Sequence, residues 1–137
     1  MVAEIMIKYP SVDDVIEVNK NVLKEIKVRK ADRSALMPSG RTILERIVDD
    51  IKGTGTDVYD KAVTLLKGLL QRHPFESGNR RTALVVTASF LEINGEELNI
   101  AHDTNILQGI RERYYRDEEI KDWLKGGEIR EFKRGIY

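Results

Sequence analysis

Cysteine is absent from this chain, which excludes disulfide bonds and thiolate metal sites. Net charge is absent as well, because 23 basic side chains balance 23 acidic ones, so any affinity for anions must come from a local group of residues. No apolar run approaches the roughly 20 residues that a membrane span requires, and the N-terminus is too short and too acidic for a signal peptide. These absences predict a cytoplasmic protein without a membrane partner.

Period-two alternation, internal repeats and low-complexity tracts are also lacking, which argues against a sheet or a solenoid. With 137 residues and 41% hydrophobic residues, the chain fits a single domain, residues 1–137, that is too small to include a separate cofactor domain. Apolar residues recur instead at helical spacing. The sequence therefore predicts an all-α fold.

Six segments show this helical pattern. They are residues 12–28, 43–51, 57–70, 79–93, 104–116 and 120–124. A capping box at residues 11–14 begins the first helix, and Asp57 can cap the third. Residues 79–93 are mostly apolar or small, which predicts a helix that is buried on most of its surface at the centre of a compact bundle. Residues 28–40 have no clear period and are predicted to form a loop or a short irregular hairpin.

The most informative segment is HPFESGNRRTA, residues 73–83, which leads into the predicted central helix. The first N–H groups of a helix have no partner inside it, and together with the helix dipole they attract anions. Gly78 allows a tight turn there, Asn79 can cap the helix or hold a phosphate oxygen, and Arg80 and Arg81 add two guanidinium groups. This arrangement predicts a site for a phosphate-bearing ligand.

His73 stands just before this turn, where a neutral imidazole can take a proton from an attacking hydroxyl. Phe75 is predicted to point into the core and to fix the loop as a structural support. Taken one at a time, these residues have simpler explanations: a histidine at a helix end caps or packs, and adjacent arginines form a solvated face. Their order favours an active site.

That order resembles the signature of the Fic/Doc family, His-x-Phe-x-(Asp/Glu)-Gly-Asn-(Gly/Lys)-Arg. The positions that match in register are His73, Phe75, Gly78, Asn79 and Arg81. The resemblance covers most of the chain, since a flap-like loop precedes the motif and an apolar helix with an Asn-Gly stop follows it. It implies a Fic/Doc-like (Fido) helical bundle around the helix at residues 79–93, with a small flap near residues 28–40.

Two positions make the chain more similar to the Doc (death-on-curing) branch than to the Fic branch. Fic proteins have glycine where this chain has Arg80 and a second arginine where it has Leu84. The resemblance to Doc implies a toxin-type phosphotransferase that uses Mg²⁺ with ATP or another nucleoside triphosphate. Its implied substrate is a protein hydroxyl, such as one on a translation elongation factor, and nucleic acid is not an expected partner.

The resemblance also implies residue roles. His73 is the implied catalytic base, and residues 30–41 are the implied flap that docks the target. The implied phosphate-binding residues are Gly78, Asn79, Arg80 and Arg81. The self-blocking Ser/Thr-x-x-x-Glu spacing of many Fic proteins does not occur in the sequence, so an antitoxin protein is the implied regulator.

One position departs from the family pattern. The family places Asp or Glu two residues after the Phe to hold Mg²⁺, whereas this chain has Ser77, whose neutral hydroxyl brings no charge. The neighbouring Glu76 is one step along the loop and is expected to point elsewhere, so metal binding should be weak. Two alternatives stay open: AMP transfer of the Fic type, and a non-catalytic module that binds a nucleotide or a partner.

The remaining charged groups are interpreted as structural. Residues 96–97 and 117–119 are acidic and are predicted to lie at helix starts. His102 and Asp103 could pair as a base and its orienting group, but no second ligand-type residue is near enough for a metal site. Residues 111–116 combine arginines with tyrosines, which indicates a solvated helix face or, less simply, a contact for RNA or a partner.

Overall fold

The structure of the protein, a computed structural model, describes residues 6–25, 35–55, 57–100 and 103–133. Within these residues the chain forms six helices, which confirms the predicted all-α fold. They are α1 (Val12–Glu25), α2 (Gly40–Gly53), α3 (Val58–Arg72), α4 (Asn79–Ile93), α5 (Thr104–Arg111) and α6 (Asp117–Leu124). The longest have 15 residues, and no described helix has the length and apolar content to cross a bilayer.

The predicted caps at the starts of α1 and α3 are both present. Ser11 Oγ accepts from the N–H of Asp14 at 3.0 Å, and the Asp14 carboxylate accepts from the N–H of Ser11 at 2.9 Å, which completes the capping box before α1. Asp57 accepts from the N–H of Tyr59 at 2.6 Å at the start of α3. The predicted end of the first helix, near residue 28, lies outside the described residues.

Helix α3, rather than α4, has the most neighbours in the bundle. It packs against α2, α4, α5 and α6, and eight of its residues are buried, whereas α4 packs mainly against α1 and α3. The expectation that residues 79–93 are buried on most of their surface was wrong, because Val85 and Ile93 are 39% and 49% exposed. The buried residues of α4 include the small side chains of Thr82, Ala83 and Thr87.

A glycine inside α3 permits its contact with α2. A Cβ atom at Gly68 would lie 2.9 Å from Cγ1 of Ile47, closer than side chains approach one another. Glycine costs roughly 1 kcal/mol relative to alanine in a helix interior, so local propensity alone disfavours it here. Packing between the two helices explains its presence.

The second half of the chain departs from the predicted boundaries. Helix α5 ends at Arg111 instead of residue 116, because the chain turns at Arg113 with a φ of 61°. Asp103 caps α5 by accepting from two backbone N–H groups, and its proposed partner His102 lies outside the described residues. The acidic residues 117–119 do begin α6, whereas residues 96–97 precede no helix, so that part of the prediction was wrong.

Candidate active site

The segment between α3 and α4 is held in a sharply bent conformation. His73 ends α3 with φ 50° and ψ 64°, a left-handed conformation that is rare for a residue with a Cβ atom. Gly78, the N-cap residue of α4, has a φ of 77°, and a Cβ atom there would lie 3.1 Å from Cδ2 of Leu23. Phe75 is 1% exposed between them and anchors the loop in the core, as predicted.

Asn79 braces this loop from inside. Its Oδ1 accepts from the N–H of Phe75 at 3.0 Å, and its Nδ2 donates to the carbonyl of Phe75 at 2.7 Å. The same nitrogen lies 3.2 Å from Nε2 of His73. Asn79 is the first residue of α4 and does not cap it, since Gly78 is the N-cap residue and no side-chain cap bond is formed.

Helix α1 also supports this loop, through the side chain of Asn19. Asn19 is fully buried, and its Nδ2 donates to the carbonyl of Ser77 at 2.9 Å and to the hydroxyl of Thr82 at 3.1 Å. These bonds tie α1 to the residues on either side of Gly78. Nothing in the sequence pattern singled out Asn19, because its site partners are far away along the chain.

The described end of the expected flap pairs with the same loop. Glu76 donates its N–H to the carbonyl of Ala35, and Met37 donates its N–H to the carbonyl of Pro74, each at 2.9 Å. The two segments form a single antiparallel β-bridge between Leu36 and Phe75. Residues 26–34, which include the first part of the expected flap, lie outside the described residues.

A pocket of about 380 Å³ opens above this loop. It is lined by Leu70, His73, Glu76, Ser77, Gly78, Asn79, Arg80, Arg81 and Arg111. The structure therefore brings all the predicted site residues except the buried Phe75 to one cavity. Glu76 is also one of the residues at the wall of this cavity.

The arginines at the pocket have few competing carboxylates. Arg80 donates to the side-chain carbonyl of Gln108 on α5, which links the two helices beside the pocket. Among the described residues, neither Arg81 nor Arg111 has an ion-pair partner. Unpaired guanidinium groups around a cavity favour an anionic ligand, because guanidinium binds phosphate or carboxylate in a bidentate manner.

The imidazole at the pocket is poised to remain neutral. Burial lowers the pKa of His73 below its ordinary value of 6.5, and the positive charge of Arg111 lowers it further. Both causes disfavour the charged ring. A neutral histidine at pH 7 is the form that accepts a proton, so the site provides a base beside cationic groups.

The pocket does not form a metal site from protein groups alone. In the described part of the chain, no three residues of the histidine, cysteine, aspartate and glutamate types are grouped as a metal site requires. Two lining residues carry oxygen ligands: Glu76 has a carboxylate and Ser77 a neutral hydroxyl. Mg²⁺ is commonly held by one or two carboxylates together with substrate phosphates, so these residues fit an ion that arrives with a nucleotide.

Arg111 was not predicted as a site residue. The sequence placed it in a basic aromatic patch with its neighbours, and no local signal connected α5 to the motif loop. Only the packing of α5 against α3 carries this arginine to His73. A basic residue near the end of a helix is common, so its position in the sequence did not identify Arg111 as a site residue.

Fold and site together define an all-α protein in which an imidazole of lowered pKa shares an arginine-lined pocket with the start of a helix. A model of the Fic/DOC family matches residues 9–91, more than half of the chain and the whole of the site except Arg111. The chain therefore belongs to the Fic/DOC family. It is also 40% identical over 55 residues to a protein named Toxin Doc from Mycolicibacterium smegmatis (strain ATCC 700084 / mc(2)155). That match covers 37% of this chain and 42% of the relative, so the chain spans less than half of that protein's length.

Proposed function

We propose that this protein is a Doc-like, toxin-type phosphotransferase that moves the γ-phosphate of ATP or another nucleoside triphosphate to a protein hydroxyl. The observation that carries the proposal is that His73, whose pKa is lowered, shares a pocket with Arg81, which has no ion-pair partner among the described residues. Membership of the Fic/DOC family and the similarity to the protein named Toxin Doc support the same proposal. The proposed acceptor class is a hydroxyl of a translation factor, such as an elongation factor.

The proposed transfer needs one proton acceptor and one group of phosphate ligands. His73 takes the proton of the acceptor hydroxyl as its oxygen attacks the γ-phosphorus, and the bond from that phosphorus to the β–γ bridging oxygen breaks. ADP leaves with the bonding electrons. Arg80, Arg81 and the N–H groups at the start of α4 hold the phosphate oxygens and offset their charge.

The hydrogen bonds of the loop assign different tasks to the predicted phosphate ligands. Asn79 already donates to Phe75, so it serves first to hold the loop and the imidazole in position. Arg81 is exposed at the pocket and carries the charge that a phosphate needs. Mg²⁺ would enter as the nucleotide complex beside Glu76 and Ser77 and would neutralise phosphate charge there.

Transfer of the γ-phosphate is favoured over transfer of AMP by the position of Leu84. This residue is half-buried and packs against the core, and it does not line the pocket. The second arginine that the Fic branch uses to orient the triphosphate is therefore missing from α4. Arg80, which replaces the glycine of that branch, adds a side chain at the pocket instead.

Two labelled forms of ATP test the proposal. The purified protein is incubated with a cell extract and ATP labelled at the α or the γ phosphate, and labelled proteins are separated. We expect the γ label alone to reach protein and expect His73→Ala to abolish it, while Arg46→Gln, an exposed change on α2, keeps it. Transfer of the α label would replace this proposal with AMP transfer.

A non-catalytic binding module is the second candidate, and Ser77 is the observation that favours it. Ser77→Asp restores the carboxylate that the family pattern has at this position. If the protein is an enzyme, Ser77→Asp should increase Mg²⁺-dependent labelling about tenfold, and Ser77→Ala should change the labelling little. Nucleotide binding without labelling in both the parent and Ser77→Asp would support the binding module.

An antitoxin is the proposed regulatory partner, again by analogy with the relative named Toxin Doc. Induced expression of the protein alone is expected to arrest bacterial growth, and His73→Ala is expected to relieve the arrest at equal protein levels. Growth arrest that persists in His73→Ala would separate toxicity from the proposed chemistry.

A further inference from the structure

Arg111 reaches the pocket from a different helix than the other two arginines. It lies in the last turn of α5, whereas Arg80 and Arg81 lie in the first turn of α4. All three side chains are exposed and line the same cavity. Only Arg80 has a described hydrogen-bond partner, Gln108, which is itself on α5 one turn before Arg111.

A purely structural role explains Arg111 poorly. A cation in the last turn of a helix is favourable to the dipole, but that effect does not require a position at a pocket. No carboxylate pairs with Arg111 among the described residues. Its charge is instead close enough to the imidazole of His73 to lower the pKa of that ring. A cation left unpaired beside the proposed base indicates that a ligand supplies the negative charge.

The number of guanidinium groups at the pocket indicates which kind of phosphate ligand it fits. A monophosphate needs one strong cationic partner, whereas a triphosphate carries several negative oxygens along its length. Helix α4 supplies Arg80 and Arg81 but has Leu84 one turn later, where the side chain packs on the core. A further guanidinium can therefore come only from another element, and Arg111 on α5 is the described arginine that lines the pocket from there.

We propose that Arg111 binds the phosphate chain of the nucleotide and makes the pocket selective for polyphosphates over monophosphates. This inference rests on the proposed function, because it assumes that the ligand of the pocket is a nucleotide. In this role Arg111 takes over, from α5, the task of a second triphosphate-binding arginine that α4 lacks. Specificity for the triphosphate then depends on the packing of α5 beside α3.

Isothermal titration calorimetry tests the inference without relying on transfer activity. The wild-type protein, Arg111→Gln and Arg113→Gln are titrated with ATP, AMP and inorganic tripolyphosphate in the presence of Mg²⁺. Arg113→Gln is the matched control, because Arg113 is exposed, lies two residues further along and does not line the pocket. It removes the same charge from the same region.

We expect Arg111→Gln to weaken binding of ATP and of tripolyphosphate about tenfold or more and to change AMP binding less than about threefold. Arg111→Lys should recover part of the ATP affinity, since it keeps the charge but not the forked geometry. Arg113→Gln should bind ATP as the wild type does. Equal unfolding midpoints for the two glutamine variants establish that the fold is retained.

Three outcomes contradict the inference in distinguishable ways. If Arg111→Gln binds ATP as tightly as Arg113→Gln does, Arg111 does not contact the phosphates, while the proposed function stands. If ATP and AMP binding weaken equally, Arg111 attracts anions in general and gives no selectivity for polyphosphates. If the wild type binds neither ATP nor tripolyphosphate, the nucleotide pocket and the proposed function fail together.

Discussion

The side-chain nitrogen of Asn79 lies 3.2 Å from Nε2 of His73. The two hydrogen bonds to Phe75 fix the amide so that its nitrogen, which can only donate, faces the ring. Nε2 must then accept, and the ring proton is placed on Nδ1. The imidazole is therefore held in the tautomer whose Nε2 can act as a base once a substrate hydroxyl replaces the Asn79 amide, because that amide occupies the one lone pair of Nε2 in this structure.

Replacing Asn79 tests how far it supports the loop. Asn79→Ala leaves the N–H and carbonyl of the buried Phe75 without their partners, so the free energy of unfolding should fall by about 2 kcal/mol. Urea unfolding measures the change. Asn99→Ala, at an exposed position, is the control and should change it by less than about 0.5 kcal/mol. Similar values for both variants would show that the amide does not brace the loop.

The pH dependence of transfer should report on His73. A base must be neutral to accept a proton, so kcat/KM falls as the pH drops through the pKa of the ring. Because that pKa is lowered from 6.5, the half-maximal rate should occur below pH 6.5, with full activity near neutrality. A profile from about pH 5 to 8 measures it.

A charge placed beside the ring provides the control for this profile. Asn79→Asp puts a carboxylate where the amide touches Nε2 and should raise the pKa of His73. The acidic limb of the profile should therefore move to higher pH in this variant. A wild-type limb above pH 6.5, or no movement in Asn79→Asp, would contradict the assignment of His73 as the base.

The helices and the motif were predictable because both depend on neighbours in the sequence. Apolar spacing marks the buried faces of the helices, and the capping residues Ser11 and Asp57 act within a few positions of their partners. The order from His73 to Arg81 likewise lies within one loop and one helix turn. Local patterns of this kind are visible in the amino-acid sequence itself, because the interacting groups are only a few residues apart.

The rest of the site depends on contacts between distant segments. Asn19 is 58 residues from Ser77, and Arg111 approaches His73 only because α5 packs against α3. The backbone N–H of Glu76 bonds to the carbonyl of Ala35, 41 residues earlier in the chain, and no local rule specifies this pairing. The early end of α5 also depends on packing, since the turn at Arg113 accompanies the burial of Tyr115 in the core.

Asn19 offers a test of the link between α1 and the pocket. Asn19→Ala removes the donors to the Ser77 carbonyl and the Thr82 hydroxyl and should lower the free energy of unfolding by about 1–3 kcal/mol. It should also weaken ATP binding, because the turn at Gly78 loses its support. Asn21→Ala, at an exposed position of the same helix, is the matched control for both calorimetry and urea unfolding. Equal affinity in the two variants would show that α1 does not position the pocket.

His73 itself should lower the stability of the fold through its backbone. Its φ of 50° is unfavourable for any residue with a Cβ atom and is readily adopted by glycine. His73→Gly should therefore be more stable than His73→Ala by about 1 kcal/mol, although both lose the contact to Asn79 and both should lack transfer activity. The shared loss cancels in the comparison, so the difference is the strain of the left-handed conformation less the larger conformational entropy that glycine loses on folding. Urea unfolding of the two variants decides the question, and an alanine variant as stable as the glycine variant would show that the strain at residue 73 does not exceed that entropy difference.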